Sequence, residues 1–192
     1  MAAPIEAKSD YLLPRHRGPW TIEDVLELPE DTTQRVELVD GALLVSPLGG
    51  LRHQRLIMRI GSRLLAEAPA PMEPTIELNL QLPGGRLLIP DFSVLRRSGL
   101  DTLMVDAADV LLVGEVISPS SRMQDRILRS QLYREAEIPY YLLVDPNGNK
   151  GRAPSLVLLE FVDGEYKEIA RDQDGRIELE RPFPVTIDLS AC

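Results

Sequence analysis

Apolar positions along this 192-residue chain recur in two periods, and the switches between them mark out the elements. Thr21 to Leu28 predicts a short helix, with Thr21 as N-cap, Asp24 three residues on, and Pro29 ending the segment. Arg35 to Pro47 predicts a hairpin: Val36-Glu37-Leu38-Val39, a turn at Asp40-Gly41, then Ala42-Leu43-Leu44-Val45. Leu51 to Ala68 predicts an amphipathic helix, since Leu56, Ile60 and Leu64 follow helical spacing with Ile57 beside them. Glu73 to Leu82 alternates as a strand with Ile76, Leu78 and Leu80 on one face, and Pro83-Gly84-Gly85 turns the chain. Leu100 to Asp109 reads as a connection with room for a short helix.

Two runs are apolar almost throughout, Leu87 to Leu95 and Val110 to Ile117. Both predict buried strands, the second a central one. Ser118-Pro119-Ser120-Ser121 is a loop. Met123 to Ala136 predicts a second helix, with Ile127, Leu128, Leu132 and Tyr133 packing inward. Tyr140 to Val144 is another buried strand, closed by Asp145-Pro146-Asn147-Gly148. Ser155 to Phe161 and Glu165 to Ala170 predict a late hairpin turning at Asp163-Gly164. This order predicts a mixed α/β core, one sheet with flanking helices.

Asp91 and Glu115 each interrupt one of the apolar runs, where an ionised acid must be paired, hydrogen-bonded or bound to a metal. Two acids on neighbouring strands repel each other, and a divalent cation is the simplest remedy. Each could give one carboxylate oxygen, and the Val116 carbonyl a third. Oxygen donors suit magnesium or manganese, with water and a phosphate oxygen completing the shell. On spacing alone, the alternative is a buried arginine such as Arg129 pairing with Glu115, with Asp91 merely ending a strand.

Other candidates are weaker. Glu37 lies between Val36 and Leu38, and its ordinary neighbours fit an exposed edge position. His53, on a helix beside Arg52 and Gln54, reads as a surface residue. Arg52, Arg55, Arg59 and Arg63 form one helical stripe; Arg122, Arg126 and Arg129 form another. Such stripes can follow a phosphate backbone, but a solvated helix face is the commoner explanation. Arg129 stands apart, one turn from both Asp125 and Tyr133, on a face that can point towards Glu115.

Length predicts one domain over residues 21–192, preceded by a loosely ordered arm over residues 1–20, where Pro4, Pro14, Gly18 and Pro19 give no period. The net charge of −9 argues against coating nucleic acid by charge alone, though not against a local basic path. The cations are nearly all arginine, with lysine only at Lys8, Lys150 and Lys167. A single cysteine, Cys192, excludes an intrachain disulfide and a thiolate zinc site. No apolar run reaches the ~20 residues that span a membrane, and the first residues lack a signal-peptide pattern, so a cytoplasmic protein is expected.

Read together, several segments resemble one family. Arg35-Val36-Glu37-Leu38-Val39-Asp40-Gly41, His53-Gln54, Pro90-Asp91 and Gly114-Glu115-Val116-Ile117-Ser118-Pro119-Ser120-Ser121 come first. Asp125, Arg129, Tyr133 and Ile138-Pro139-Tyr140-Tyr141-Leu142-Leu143-Val144-Asp145-Pro146 follow. In this order and spacing they resemble the Uma-two-type restriction endonucleases of the PD-(D/E)XK nuclease superfamily, over Thr21 to Pro146 and more loosely beyond. The resemblance implies a restriction-endonuclease-like core: a central mixed sheet flanked by helices, with extra N-terminal and C-terminal strands. It also implies magnesium- or manganese-dependent hydrolysis of DNA by a protein that acts as a homodimer. Carried over, Asp91 is the aspartate of the Pro-Asp motif, Glu115 the acid of the following strand, and Glu37 the acid of the early hairpin. The superfamily's lysine two residues after the second acid is here Ile117. The replacement lysine of this subfamily, on the next helix, is here Arg129. An arginine can hold a phosphate but is a poor general base, so a catalytically impaired binding or assembly module is the alternative.

Overall fold

The computed structural model describes residues 14, 16–29, 34–117, 124–148 and 153–191, with the side chains of 124–126 left aside. The arm expected over residues 1–20, the Ser118–Ser121 loop, the Asp125, Arg122 and Arg126 side chains, Met123 and Cys192 lie wholly or largely outside the described residues.

Helix α1 (Ile22–Leu26) starts at Thr21, whose side chain accepts from the Asp24 N–H while Asp24 accepts from the Thr21 N–H. Strands β1 (Gln34–Val39) and β2 (Ala42–Pro47) form the expected hairpin. Asp40 and Gly41 both adopt the left-handed backbone that a two-residue turn needs, which pins the register at Val39 opposite Ala42. Helix α2 (Leu51–Glu67) follows, then β3 (Glu73–Ile76), β4 (Leu80–Leu82), β5 (Arg86–Leu88) and β6 (Phe92–Leu95). A short strand β7 (Val105–Asp106) and a 3-10 turn lead into β8 (Val110–Val116). A π-helical turn (Gln124–Arg129) runs into α3 (Ser130–Glu135), and the chain returns as β9 (Tyr140–Asp145). Hairpin β10 (Ser155–Val162) and β11 (Glu165–Arg171), then strands β12 (Arg176–Leu179) and β13 (Val185–Asp188), complete it.

Two large sheets form instead of one. The first has the order β2-β1-β5-β4-β7, the second β11-β10-β9-β8-β6-β3, and β12-β13 stand as a separate pair. Both runs expected to be single strands divide between the sheets. Glu73 to Leu82 breaks at Glu77, whose left-handed φ of 50° turns the chain, so β3 and β4 join different sheets. Leu87 to Leu95 breaks at Ile89-Pro90-Asp91; Pro90 has no N–H for a ladder, and β5 and β6 fall on opposite sides of the break. Asp91 therefore lies where the backbone passes from one sheet to the other.

The expected central strand is central. β8 pairs antiparallel with β6 and parallel with β9, and the helical segment before β9 supplies the crossover that a parallel pair requires. Its side chains alternate. Leu112 and Val116 face α2 and the β12-β13 pair, packing with Leu56, Ile60, Leu64, Ile177 and Ile187. Val113 and Glu115 face the other way, towards Leu80, Leu88, Leu132, Tyr133 and Tyr141. Ile127 does not pack inward as its spacing predicted; it is 63% exposed, because the π-helical turn changes the periodicity before α3 begins. Among the described residues no helix is long and apolar enough to cross a membrane.

Gly114 lies opposite Phe92, and a β-carbon there would sit 1.8 Å from the buried ring. Gly114→Ala is therefore expected to destabilise the fold by about 2–3 kcal/mol through overpacking. Urea unfolding should show a lower midpoint at unchanged slope, and an unchanged midpoint would mean that the ring has room to move.

Candidate active site

Glu37, Asp91 and Glu115 are all buried, with 2%, 1% and 3% exposure, and each is held by a different element. Strand β1 supplies two residues to the same place. Arg35 and Glu37 are two apart and so share a face. Glu37 Oε1 accepts the Ile89 N–H at 2.7 Å, fixing the backbone just before Pro90-Asp91. Arg35 donates to Asp91 Oδ1 at 3.0 Å and to Glu77 at 3.0 Å. The edge reading of Glu37 is thus overturned: its flanking pattern was ordinary because the sheet that buries it is completed by distant strands.

Asp91 and Glu115 come together through the β6–β8 ladder. The register Phe92 opposite Gly114, carried one residue on, sets Asp91 opposite Glu115 on one face. Because β6 begins only at Phe92, the Val116 N–H and carbonyl on that edge find side-chain partners instead. Asp91 Oδ2 accepts the Val116 N–H at 2.7 Å. His53 Nε2, from the first turn of α2, lies 3.1 Å from the Val116 carbonyl and 3.2 Å from Asp91 Oδ2. The surface reading of His53 is therefore wrong. Its signal was present in the sequence, since His53, Ile57, Ile60 and Leu64 continue one helical stripe, and the polar neighbours Arg52 and Gln54 obscured it.

On the other side, Arg129 bridges two acids, donating to Glu115 Oε1 at 3.0 Å and to Glu37 Oε2 at 2.6 Å. Tyr133, one turn further along, donates its hydroxyl to the same Glu115 oxygen at 2.5 Å. The pairing of Glu115 with Arg129, one of the two alternatives left open by spacing, is realised. Arg35, Glu77 and Tyr133 join the site without having been candidates in the sequence, and His53 joins it against its surface reading. Arg35 was legible from its two-residue spacing to Glu37, and Tyr133 from its helical spacing to Arg129. Glu77 carried no signal, because a left-handed backbone places it.

The electrostatics follow from three buried acids against two half-buried arginines and a half-buried histidine. Burial alone would raise Asp91, but the His53 hydrogen bond, the His53 and Arg35 charges and the Val116 N–H outweigh it and hold the carboxyl below its usual range. Burial would lower His53, and the Asp91 hydrogen bond and charge override it and raise the imidazole. Glu115 is pushed up to about 8, first by burial and then by the Asp91 and Glu37 charges, against the pull of Arg129 and Tyr133. Tyr133 is raised well above its usual value by burial and by Glu115. Glu115 thus meets Arg129 and Tyr133 in surroundings that oppose its ionised form.

The Asp91 and Glu115 oxygens and the Val116 carbonyl are hard donors, the chemistry that magnesium or manganese takes. Among the described residues no three His, Cys, Asp or Glu side chains converge as a metal cluster. The donor set consists of the Glu115 side chain of β8, the Asp91 side chain just before β6 and one carbonyl, with Arg35, His53 and Arg129 seated on it. The α2 stripe is only partly open. Arg52 binds Asn147 and the Pro146 carbonyl, and Arg63 binds the Thr186 carbonyl and Glu67.

A solved structure shares this fold. The crystal structure of a putative nuclease belonging to DUF820 from Anabaena variabilis superposes with a TM-score of 0.66. It is 17% identical and covers 85% of this chain and 90% of that one. The fold is thus nuclease-like. The family model Uma2, described as "putative restriction endonuclease", matches residues 22–191, and the chain belongs to that family. No curated protein matches.

Arg129→Ala should leave Glu37 and Glu115 facing each other without their shared cation, at a cost of about 3–5 kcal/mol. In a Glu37→Gln background the same substitution should cost less, because fewer charges are left unpaired. Denaturant unfolding of the four proteins checks this. Additive losses would mean that Arg129 does not bind the two acids as one unit.

Proposed function

We propose that this protein is a magnesium- or manganese-dependent endonuclease that hydrolyses phosphodiester bonds in DNA. In this reading Asp91, Glu115 and the Val116 carbonyl hold the ion, and Arg129 and Glu37 complete the active site. The observation that carries it is the pair of buried acids Asp91 and Glu115 set across the β6–β8 ladder, with Arg129 bridging Glu115 to the buried Glu37 of β1, in a chain of a restriction-endonuclease family.

A bound divalent ion would supply Lewis acidity, lowering the pKa of a water and steadying charge on a phosphate. The protein's own groups do the rest. Asp91 is oriented from three sides by Arg35, His53 and the Val116 N–H, so its carboxylate needs no reorganisation to present charge. Tyr133 fixes the Glu115 rotamer. Arg129, released from one of its acids by the arriving positive charge, would offer a guanidinium fork to the scissile phosphate. It would not take a proton from water, because its pKa is raised well above even the usual arginine value by Glu115, Tyr133 and Glu37 against the opposing effect of burial.

One observation favours the second reading, a nuclease fold retained as a binding or assembly module. Arg129 donates to both Glu37 and Glu115, and Ile117 stands where the superfamily's usual lysine would be. In that reading the arginine is a structural clamp.

Incubation with plasmid DNA and manganese tests the pair. The first reading expects cleavage that is lost on chelation and reduced about 100-fold or more in Asp91→Ala, since several kcal/mol of charge stabilisation go with the ion. Cleavage equal to that of the Asp91→Ala protein would discard it. Cleavage that emerges only in Arg129→Lys would establish the second reading and identify the missing group as the base.

A further inference from the structure

Helix α2 uses one face for the fold and carries a second apolar line on its outer side. Leu56, Ile57, Ile60 and Leu64 are buried in the core beneath it. Leu51, Met58 and Leu65 are 67%, 62% and 65% exposed. They stand seven residues apart, so they fall on one line along the helix. Beside that line lies Ile76, 50% exposed at the end of β3. It reaches the helix at Gly61, where a β-carbon would sit 3.2 Å from Ile76 Cγ2. Among the described residues nine large hydrophobic side chains are exposed, and four of them follow this one seam. Isolated surface apolar residues need no explanation, but an aligned group marks a contact surface.

The seam fits a second copy of itself. Leu51 and Leu65 stand equally far on either side of Met58. An antiparallel copy therefore sets Leu51 against Leu65, Met58 against Met58 and Leu65 against Leu51. The charges permit this pairing. The chain has a net charge of −9, yet Leu51 to Ala66 contains no acid, so no carboxylate is pressed against another. Arg52 and Arg63 turn to their own fold, at Asn147 and at the Thr186 carbonyl. Arg55, exposed at the edge of the seam, falls beside Gly61 and Ser62 of the second copy and meets no like charge there. The spacing also suits two helices. A seven-residue line drifts by about 20° per repeat, which a crossing of about 20° follows. At 1.5 Å per residue the seam is about 25 Å long, and Ile76 widens it. Its area is at the small end of stable interfaces, so association of micromolar strength is expected.

We propose that α2 is the self-association surface of this protein: a second copy docks its own α2 antiparallel across the seam, about a two-fold axis at Met58. Such a contact presents the same patch from both chains and closes at two copies. It covers Leu51, Met58, Leu65 and Ile76 of each chain. The first turn of α2 carries His53 to the candidate site, so antiparallel pairing sends the two sites to opposite ends of the helix pair. Dimerisation on this surface is independent of the nuclease reading, and its test uses neither metal nor DNA.

Sedimentation equilibrium and cysteine cross-linking of the full chain test it. The native protein is expected to be dimeric at about 100 µM, and Met58→Glu and Leu65→Glu should each weaken the dimer at least about tenfold, because a charge would be buried in an apolar seam. Leu103→Glu, at a side chain equally exposed (68%) but off the helix, should leave association unchanged. In a Cys192→Ser background, which removes the chain's one cysteine, Met58→Cys should form a disulfide between copies on oxidation. Leu51→Cys alone should not, because its two copies would lie about 20 Å apart along the pair. Mixed with Leu65→Cys, it should. A native chain that is monomeric at this concentration would overturn the proposal. So would a dimer that survives Met58→Glu and Leu65→Glu, which would put the contact elsewhere, as on the uncharged strand β2. Cross-linking of Leu51→Cys to itself and not to Leu65→Cys would overturn it too, since the helices would then be parallel.

Discussion

The structure depends on one constraint: three carboxylates are buried close together, and none can stay ionised without a donor. The protein meets it with an interleaved lattice of charges. Glu77, Arg35, Asp91 and His53 form one chain of contacts, and Glu37, Arg129, Glu115 and Tyr133 form the other. Strand β1 belongs to both, through Arg35 and Glu37. Its register against β2, fixed by the Asp40-Gly41 turn, therefore controls the electrostatics of a site formed mostly by other strands. A one-residue slip of β1 would turn both side chains away and leave Asp91 and Arg129 each short of a partner.

The same lattice joins the two sheets. Few backbone ladders could do so, because Pro90 interrupts the segment that crosses between them. The crossing backbone is held instead by Glu37, which takes the Ile89 N–H, and by Asp91, which takes the Val116 N–H. Acids that a metal could use are therefore also structural cross-links. Their position in the chain follows from the break. A carboxylate can reach a neighbouring strand's free N–H only where its own strand has stopped pairing.

Much of this was legible in the sequence, and the failures share a cause. Periodicity found the hairpins, α2 and the central β8, because each is decided by residues a few positions apart. It joined β3 to β4 and β5 to β6, because alternation cannot tell which sheet a strand enters; only Glu77's left-handed turn and the missing N–H of Pro90 decide that. The strands β12 and β13 passed unnoticed except as unspecified late strands, being short and separated by Phe183 and two prolines. Among site residues, Asp91, Glu115 and Arg129 stood out because an acid in an apolar run is expensive, and a helix face has a direction. His53 and Glu37 were judged by immediate neighbours, when what buries them is the apolar stripe of α2 and a strand more than forty residues away.

Arg129 shows how stability and chemistry pull against each other at such a site. A lysine is a compact point charge on a flexible stem, whereas a guanidinium is a rigid fork with several donors. Only the fork can hold Glu115 and Glu37 at once, at 3.0 and 2.6 Å, from a single backbone position. That double contact lets two buried acids share one cation. It also places the strongest available cation where an incoming ion would have to compete with it. A lysine there would neutralise less, leave one acid poorly paired and make the fold weaker, yet it could shed a proton. The arginine favours the paired acids, and any gain in catalysis from a lysine would be set against the burial cost of Glu37 and Glu115.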